Sequence, residues 1–227
     1  MGGEERKKRM YKGFRPPGGI IHGERTMELV REFGVEYISP AGRDAAVVKF
    51  GGGKKEQKQE KKEGEEGEGE EGEGEEGEGE EGEGEEEKED SIVILPFRWS
   101  TVDAYYYMET FSKLRTIKGE LPEAVQTEET LKKFYIAQID SAIAEGQAQQ
   151  QGKEKGGGAK YLSFLFHPFL NDSPERLQVF EDVVKYLAEK RDQGQVWLAR
   201  CCDVTEWIRQ HPGMVGADPG WDETVWR

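Results

Sequence analysis

The chain has 227 residues, 35% of them charged and 34% apolar, with a formal net charge of −15. Residues 54–90 hold 20 Asp/Glu and 6 Lys/Arg, a net of −14, so the other 27 acidic and 26 basic residues leave the rest of the chain at −1. Without a basic face the chain is not expected to bind nucleic acid, and no run approaches the ~20 apolar residues of a membrane span.

At the start, "RKKR" (Arg6–Arg9) reads as a solvated leader, since short basic runs are common by chance. The leader contains no apolar stretch of the signal-peptide kind. The only two cysteines, Cys201 and Cys202, are adjacent. Neighbouring cysteines rarely bridge, and two alone make neither a disulfide framework nor a zinc site. A reducing compartment follows, and the expected location is cytoplasmic.

"KGFRPPGGI" (Lys12–Ile20) comes next. Pro16 and Pro17 stiffen the backbone after Arg15, while Gly18 and Gly19 allow positive φ and close approach of another group. A guanidinium on such a mount can orient a carboxylate, or it can face solvent from a plain turn. An amphipathic helix over about Glu24–Phe33 leads into a short strand, "GVEYISP" (Gly34–Pro40). Residues 51–90 are dominated by a Gly/Glu repeat with nothing to bury and strong like-charge repulsion. They are expected to be a disordered insertion.

"SIVILPF" (Ser91–Phe97) is a continuous apolar run ended by proline, as expected of a strand buried on both faces. Arg98, Trp99 and Asp103 follow it, then Tyr105, Tyr106 and Tyr107, which cannot all face inward on an ordinary helix. Asp103 serves equally as an N-cap or a site carboxylate. Helical spacing of Leu131, Phe134, Ile139 and Ile143 predicts a helix over about Thr127–Glu145, with a flexible loop at 146–159.

"YLSFLF" (Tyr161–Phe166) reads as a second buried strand, ended by His167-Pro168. An imidazole fixed at a strand end can serve as acid or base near neutral pH, or be no more than a hydrogen-bonded histidine. Ser173 as N-cap, Pro174 at the first helical position and Gly194 at the stop delimit a further helix, with Leu177, Phe180, Val184 and Leu187 expected inward. "QVWLA" reads as a third strand, and Asp203 with Glu206 as the capping box of a last helix ended by "HPG". Alternating strands and helices indicate an α/β sheet or barrel. About four strands are too few for a closed α/β barrel, which needs about eight.

Taken together, "FRPPGG", "PFRWSTVDAYYY", "LSFLFHPF" and "RLQVFEDVVKYLAEKRDQGQVWLARCCDVTEWI" resemble the polysaccharide deacetylase (NodB homology) family, nearest its peptidoglycan-deacetylase-like and allantoinase-like branch. The resemblance implies an α/β fold, a partial distorted (β/α) barrel with the acidic insertion. Residues 1–50 would form its first part, 51–90 the insertion, 91–212 the remainder and 213–227 a tail. It implies hydrolysis of a non-peptide carbon–nitrogen bond in an amino-sugar polymer or a small cyclic amide. Carried over by motif, Arg15 would orient the catalytic base and His167 would be the general acid. Leu165 and Phe169 would wall the acyl pocket, and Trp99 and Asp103 would line the substrate groove.

The family's divalent metal, zinc or cobalt, is held by an aspartate and an H-x-x-x-H pair ahead of the RPP motif, where this chain has only Met1–Lys12. The remaining histidines are His22, His167 and His211, so this chain alone is expected to bind no catalytic metal and to be impaired or inactive. The alternative is a non-enzymatic carbohydrate- or protein-binding remnant of that fold. An exposed barrel edge is expected to favour self-association.

Overall fold

The computed structural model describes residues 11–50, 91–150 and 159–222. Its strands are β1 (Gly13–Phe14), β2 (Tyr37–Ile38), β3 (Ala46–Lys49) and β4 (Ser91–Ile94), joined in one open sheet of order β1-β2-β4-β3. β1, β2 and β4 run parallel, and β3 pairs antiparallel with β4. The helices are α1 (Gly23–Glu32), α2 (Asp103–Tyr107), α3 (Ser112–Lys118), α4 (Glu128–Gln150), α5 (Pro174–Asp192) and α6 (Cys201–Gln210). The chain is therefore mixed α/β. Among the described residues no helix is long and apolar enough to cross a membrane.

β4 is buried on both faces, as its unbroken apolar run predicts. Ile92 and Ile94 point to one side, where they pack with Val30 of α1. Val93 and Leu95 point to the other, against Ile208, Val204 and Trp207 of α6. Alternation along an extended chain puts neighbours on opposite faces, so this one strand joins two apolar layers. A third and larger core is built from α2, α4 and α5 around Tyr105, Tyr106, Tyr135, Leu131 and Val183.

Several expectations are corrected. "YLSFLF" is extended but forms no strand: only Leu165 makes a bridge, with Val102, and the segment is half-buried. "QVWLA" also forms no strand, and Trp197 and Leu198 stand 59% and 46% exposed. A strand needs a paired neighbour, and an apolar run records side-chain preference only. β3 was not singled out in the sequence. It exists because Ala46–Lys49 finds β4 across a hairpin whose connecting residues carry the insertion.

α4 continues through Gly146 to Gln150, so the flexible loop expected at 146–159 does not begin at 146. The insertion at 51–90, and 151–158 of that loop, lie outside the described residues. In α5 the cap and stop are as expected: Ser173 Oγ accepts from the Arg176 amide, Pro174 opens the helix, and Gly194 takes φ 69°. The inward face is different. Val179 and Val183 are buried, while Leu177, Phe180 and Val184 are exposed, because the core that α5 meets is α4, tied to it by Lys132–Asp182 and Tyr186–Asp140. α6 opens at Cys201, with Arg200 as N-cap and Asp203 bonded back to the Arg200 guanidinium.

Tyr105, Tyr106 and Tyr107 are all buried, against the expectation that one would reach a groove or solvent. α2 is only five residues long and is enclosed on every side, so the usual helical division into inner and outer faces does not apply. Residues 213–222 pack against the sheet. Gly216 bridges to Ala46 on the side of β3 that faces away from β4, and Trp221 bridges to Gly42 ahead of that strand.

Candidate active site

Parallel strands bring their carboxyl ends to one edge, where α/β folds place working groups. Arg15, Ser39 and Phe97 follow β1, β2 and β4 there. The Arg15 Nη2 donates to Ser39 Oγ at 2.9 Å, and its guanidinium lies 5.3 Å from the centre of the Phe97 ring. The mount is as stiff as its composition suggests. Pro17–Gly19 form a 3-10 turn, the Gly19 amide donates to Pro16 O at 2.9 Å, and the Ala41 amide donates to Gly19 O at 2.9 Å. Gly19 has φ 71°, and a Cβ there would stand 2.6 Å from the Phe97 ring and 2.8 Å from the Ala41 nitrogen. Only glycine fits that approach.

Tyr37 and Tyr161 lie near this guanidinium. Burial pushes both phenols up, with Cys201 adding to the rise, while Arg15 pulls each of them part of the way down.

A second cluster surrounds His167. The bridge between Val102 and Leu165 aligns two extended segments: the Leu165 amide donates to Thr101 O at 2.9 Å, and the Asp103 amide donates to Leu165 O at 3.1 Å. That pairing sets Asp103, the first residue of α2, beside His167, two residues past Leu165. His167 Nδ1 is 2.5 Å from Asp103 Oδ1, and the His167 amide donates to Oδ2 at 2.6 Å. The Ala104 amide donates to Oδ1 at 2.7 Å and Asn171 Nδ2 to Oδ2 at 2.6 Å. Asp103 is wholly buried, and these four contacts account for the usual acceptor sites of a carboxylate.

A carboxylate only accepts, so Nδ1 of His167 carries the hydrogen and Nε2 is the atom left for chemistry. The His167 side chain is 36% exposed, enough for Nε2 to be offered outward. Phe169 stands beside it, ring centres 5.4 Å apart, and is 64% exposed.

The structure therefore brings together Asp103, Leu165, His167 and Phe169. Arg15 belongs to the other cluster, and no hydrogen bond or ring contact among the described residues joins it to His167. Trp99 is 6% exposed, edge-on to Phe97 and tilted against Phe111, so it is a core ring with little surface for a groove. Asp103 has no exposed surface with which to line a groove; its carboxylate faces the imidazole. Sequence reasoning missed Ser39 and Asn171. Asn171 carried one weak signal: it lies four residues after the histidine that follows "YLSFLF", at the close of a turn begun by proline.

Among the described residues, the buried phenol oxygens of Tyr105, Tyr107 and Tyr135 have no hydrogen-bond partner. Arg176 lies 4.2 Å from the centre of the Tyr107 ring while its Nε bonds Glu128 and its Nη1 bonds Leu170 O. It thus pins the turn after His167 to α4. Among the described residues no three His, Cys, Asp or Glu side chains gather so as to hold a metal ion. These residues do not fit the zinc or cobalt centre that the resemblance implies.

Comparison with known proteins agrees at the level of fold. A crystal structure from Mycobacterium smegmatis, described as that of a "putative polysaccharide deacetylase", superposes with a TM-score of 0.53 over 94% of this chain, at 17% identity. The chain shares the fold of the corresponding part of that protein. It spans 53% of that protein's length, about half. No family model matches the sequence, and no curated protein does.

Proposed function

We propose that this chain is the proton-donating portion of a hydrolase of the polysaccharide deacetylase type, built on part of a distorted (β/α) barrel. Its reaction class is hydrolysis of a carbon–nitrogen bond outside peptides, in an N-acetylated amino sugar or a small cyclic amide. The single observation that carries the reading is the His167–Asp103 pair, 2.5 Å apart at the end of an extended segment.

Amide hydrolysis adds a water oxygen to the carbonyl carbon and breaks the C–N bond. The nitrogen leaves as an amine only if it gains a proton as that bond breaks. Protonated His167 gives its Nε2 proton to that nitrogen and is left as the Nδ1–H tautomer, the form that Asp103 holds. Phe169 lies against the acyl group, while Arg15, bonded to Ser39 Oγ, is the guanidinium that the resemblance assigns to orienting the water-activating carboxylate. Among the described residues no group of side chains is placed to activate the water, so the chain by itself is expected to bind without turnover.

The test is an NMR titration of the chain with an N-acetylglucosamine oligomer and, separately, a cyclic amide such as a hydantoin, with acetate or ring-opened product assayed in parallel. Shifts confined to the His167 ring and Phe169, with no product, are expected. Absence of any shift at His167 with both compounds at millimolar concentration overturns the reading. Turnover by the chain alone overturns its restriction to proton donation.

A further inference from the structure

We propose that Asn171 is a positioning residue that sets the imidazole of His167 through Asp103; the proposal rests on the reading of His167 as the proton donor. The turn that begins at Pro168 carries the chain back on itself. The Leu170 amide donates to His167 O at 2.9 Å and the Asn171 amide to Pro168 O at 3.2 Å. This places the Asn171 carboxamide between two acceptors, Asp103 Oδ2 at 2.6 Å and the His167 carbonyl at 2.8 Å. Both neighbours only accept, so the nitrogen of the carboxamide, and not its oxygen, must face them.

The consequence is rotational. A carboxylate can turn about its Cβ–Cγ bond, and a histidine bound to one oxygen follows it. Here Oδ2 is gripped from two directions, by the His167 amide and by Asn171, while Ala104 and the imidazole take Oδ1. With Oδ2 held, Oδ1 stays in line with Nδ1. Asn171 also ties the main chain of His167 to the same carboxylate, so ring and backbone move as one body. Loss of the carboxamide would leave a fully buried oxygen short of a donor, and turning the carboxylate is the simplest relief. A tilted carboxylate lets the neutral ring populate the other tautomer, with its hydrogen on Nε2 and no hydrogen for Asp103.

The chain has three histidines, which makes the measurement direct. Nitrogen-labelled histidine in the full chain, observed by NMR above the imidazole titration, is expected to show His167 as the Nδ1–H tautomer. In Asn171→Ala it is expected to become a mixture, with loss of the slowly exchanging Nδ1 proton signal, while His22 and His211 are unchanged. Asn171→Gln, which retains the donor, is expected to recover part of the signal. A folded Asn171→Ala chain with the His167 tautomer unchanged overturns the proposal, even if its melting temperature falls. Should that variant not fold, the wild-type chain still decides. The Asn171 side-chain amide resonances are expected to move with the His167 titration, and amide signals indifferent to it overturn the proposal. Neither readout uses substrate, so failure here is distinguishable from failure of the proposed reaction.

Discussion

Lys49 stands opposite Ser91 in the antiparallel pair of β3 and β4, and the acidic insertion lies between these two partners. The insertion therefore enters and leaves the fold at one point, the open end of a hairpin. Replacing residues 51–90 with a short Asn-Gly turn is expected to preserve the fold. Shortening the loop from 40 residues to two, roughly twentyfold, removes closure entropy worth about 2.6 kcal/mol, so urea stability should rise by up to that amount. A loss of cooperative unfolding in the shortened chain would contradict this.

The two members of the His167–Asp103 pair should differ sharply in their effect on stability. Asp103→Ala removes the acceptor of the His167 and Ala104 amides and one of the two acceptors of the Asn171 carboxamide. A cost of about 3 kcal/mol is expected. His167→Ala removes a partly exposed ring, leaves those three donors satisfied, and should cost about 1 kcal/mol. Equal losses in urea unfolding would show that Asp103 does not organise the site.

Tyr105, Tyr106, Tyr107 and Tyr135 have pKa values pushed up chiefly by burial. A raised folded-state value means stability that is intact below the unfolded value, about 10, and is lost as the pH climbs above it. Alkaline titration should show the exposed phenols ionising first. These four should then ionise together with the loss of the helical circular-dichroism signal. Smooth ionisation of every tyrosine at an ordinary pKa would sink the prediction.

On the acid side, the hydrogen bond from Lys132 holds the Asp182 carboxyl below its usual range, with Gln178 assisting. A depressed value contributes stability above the unfolded pKa and loses it as the pH falls through the folded one. Asp182→Asn should therefore weaken the α4–α5 contact at neutral pH, and its melting temperature should converge with that of the wild type in acid. A gap that stays constant with pH would show the pair to be inert.

β4 was legible in the sequence because burial on both faces leaves an unbroken apolar run. The α5 boundaries were legible because capping is local chemistry: Ser173, Pro174 and Gly194 act on backbone within one turn. The inner face of α5 was not legible. The helix carries apolar residues on two sides, and only the position of α4 decides that Val179 and Val183 are the buried pair. "QVWLA" has strand composition without a strand, because pairing belongs to the neighbour and not to the segment. His167 could be proposed from its place after "YLSFLF", but its attachment to Asp103 depends on the Val102–Leu165 bridge between distant stretches of chain. At Trp99 the residue type alone favours a core ring over a sugar platform, and Phe97 and Phe111 stand around it.

Residues 216–222 run beside Ala41–Ala46, the stretch leading into β3, and fasten to α3 through the Lys118–Asp222 ion pair. They act as a selvedge on the woven sheet, finishing a rim that would otherwise fray or stick to another sheet. Reporter proteins and purification handles for this chain are therefore better grafted at the hairpin tip than spliced in before Asp222.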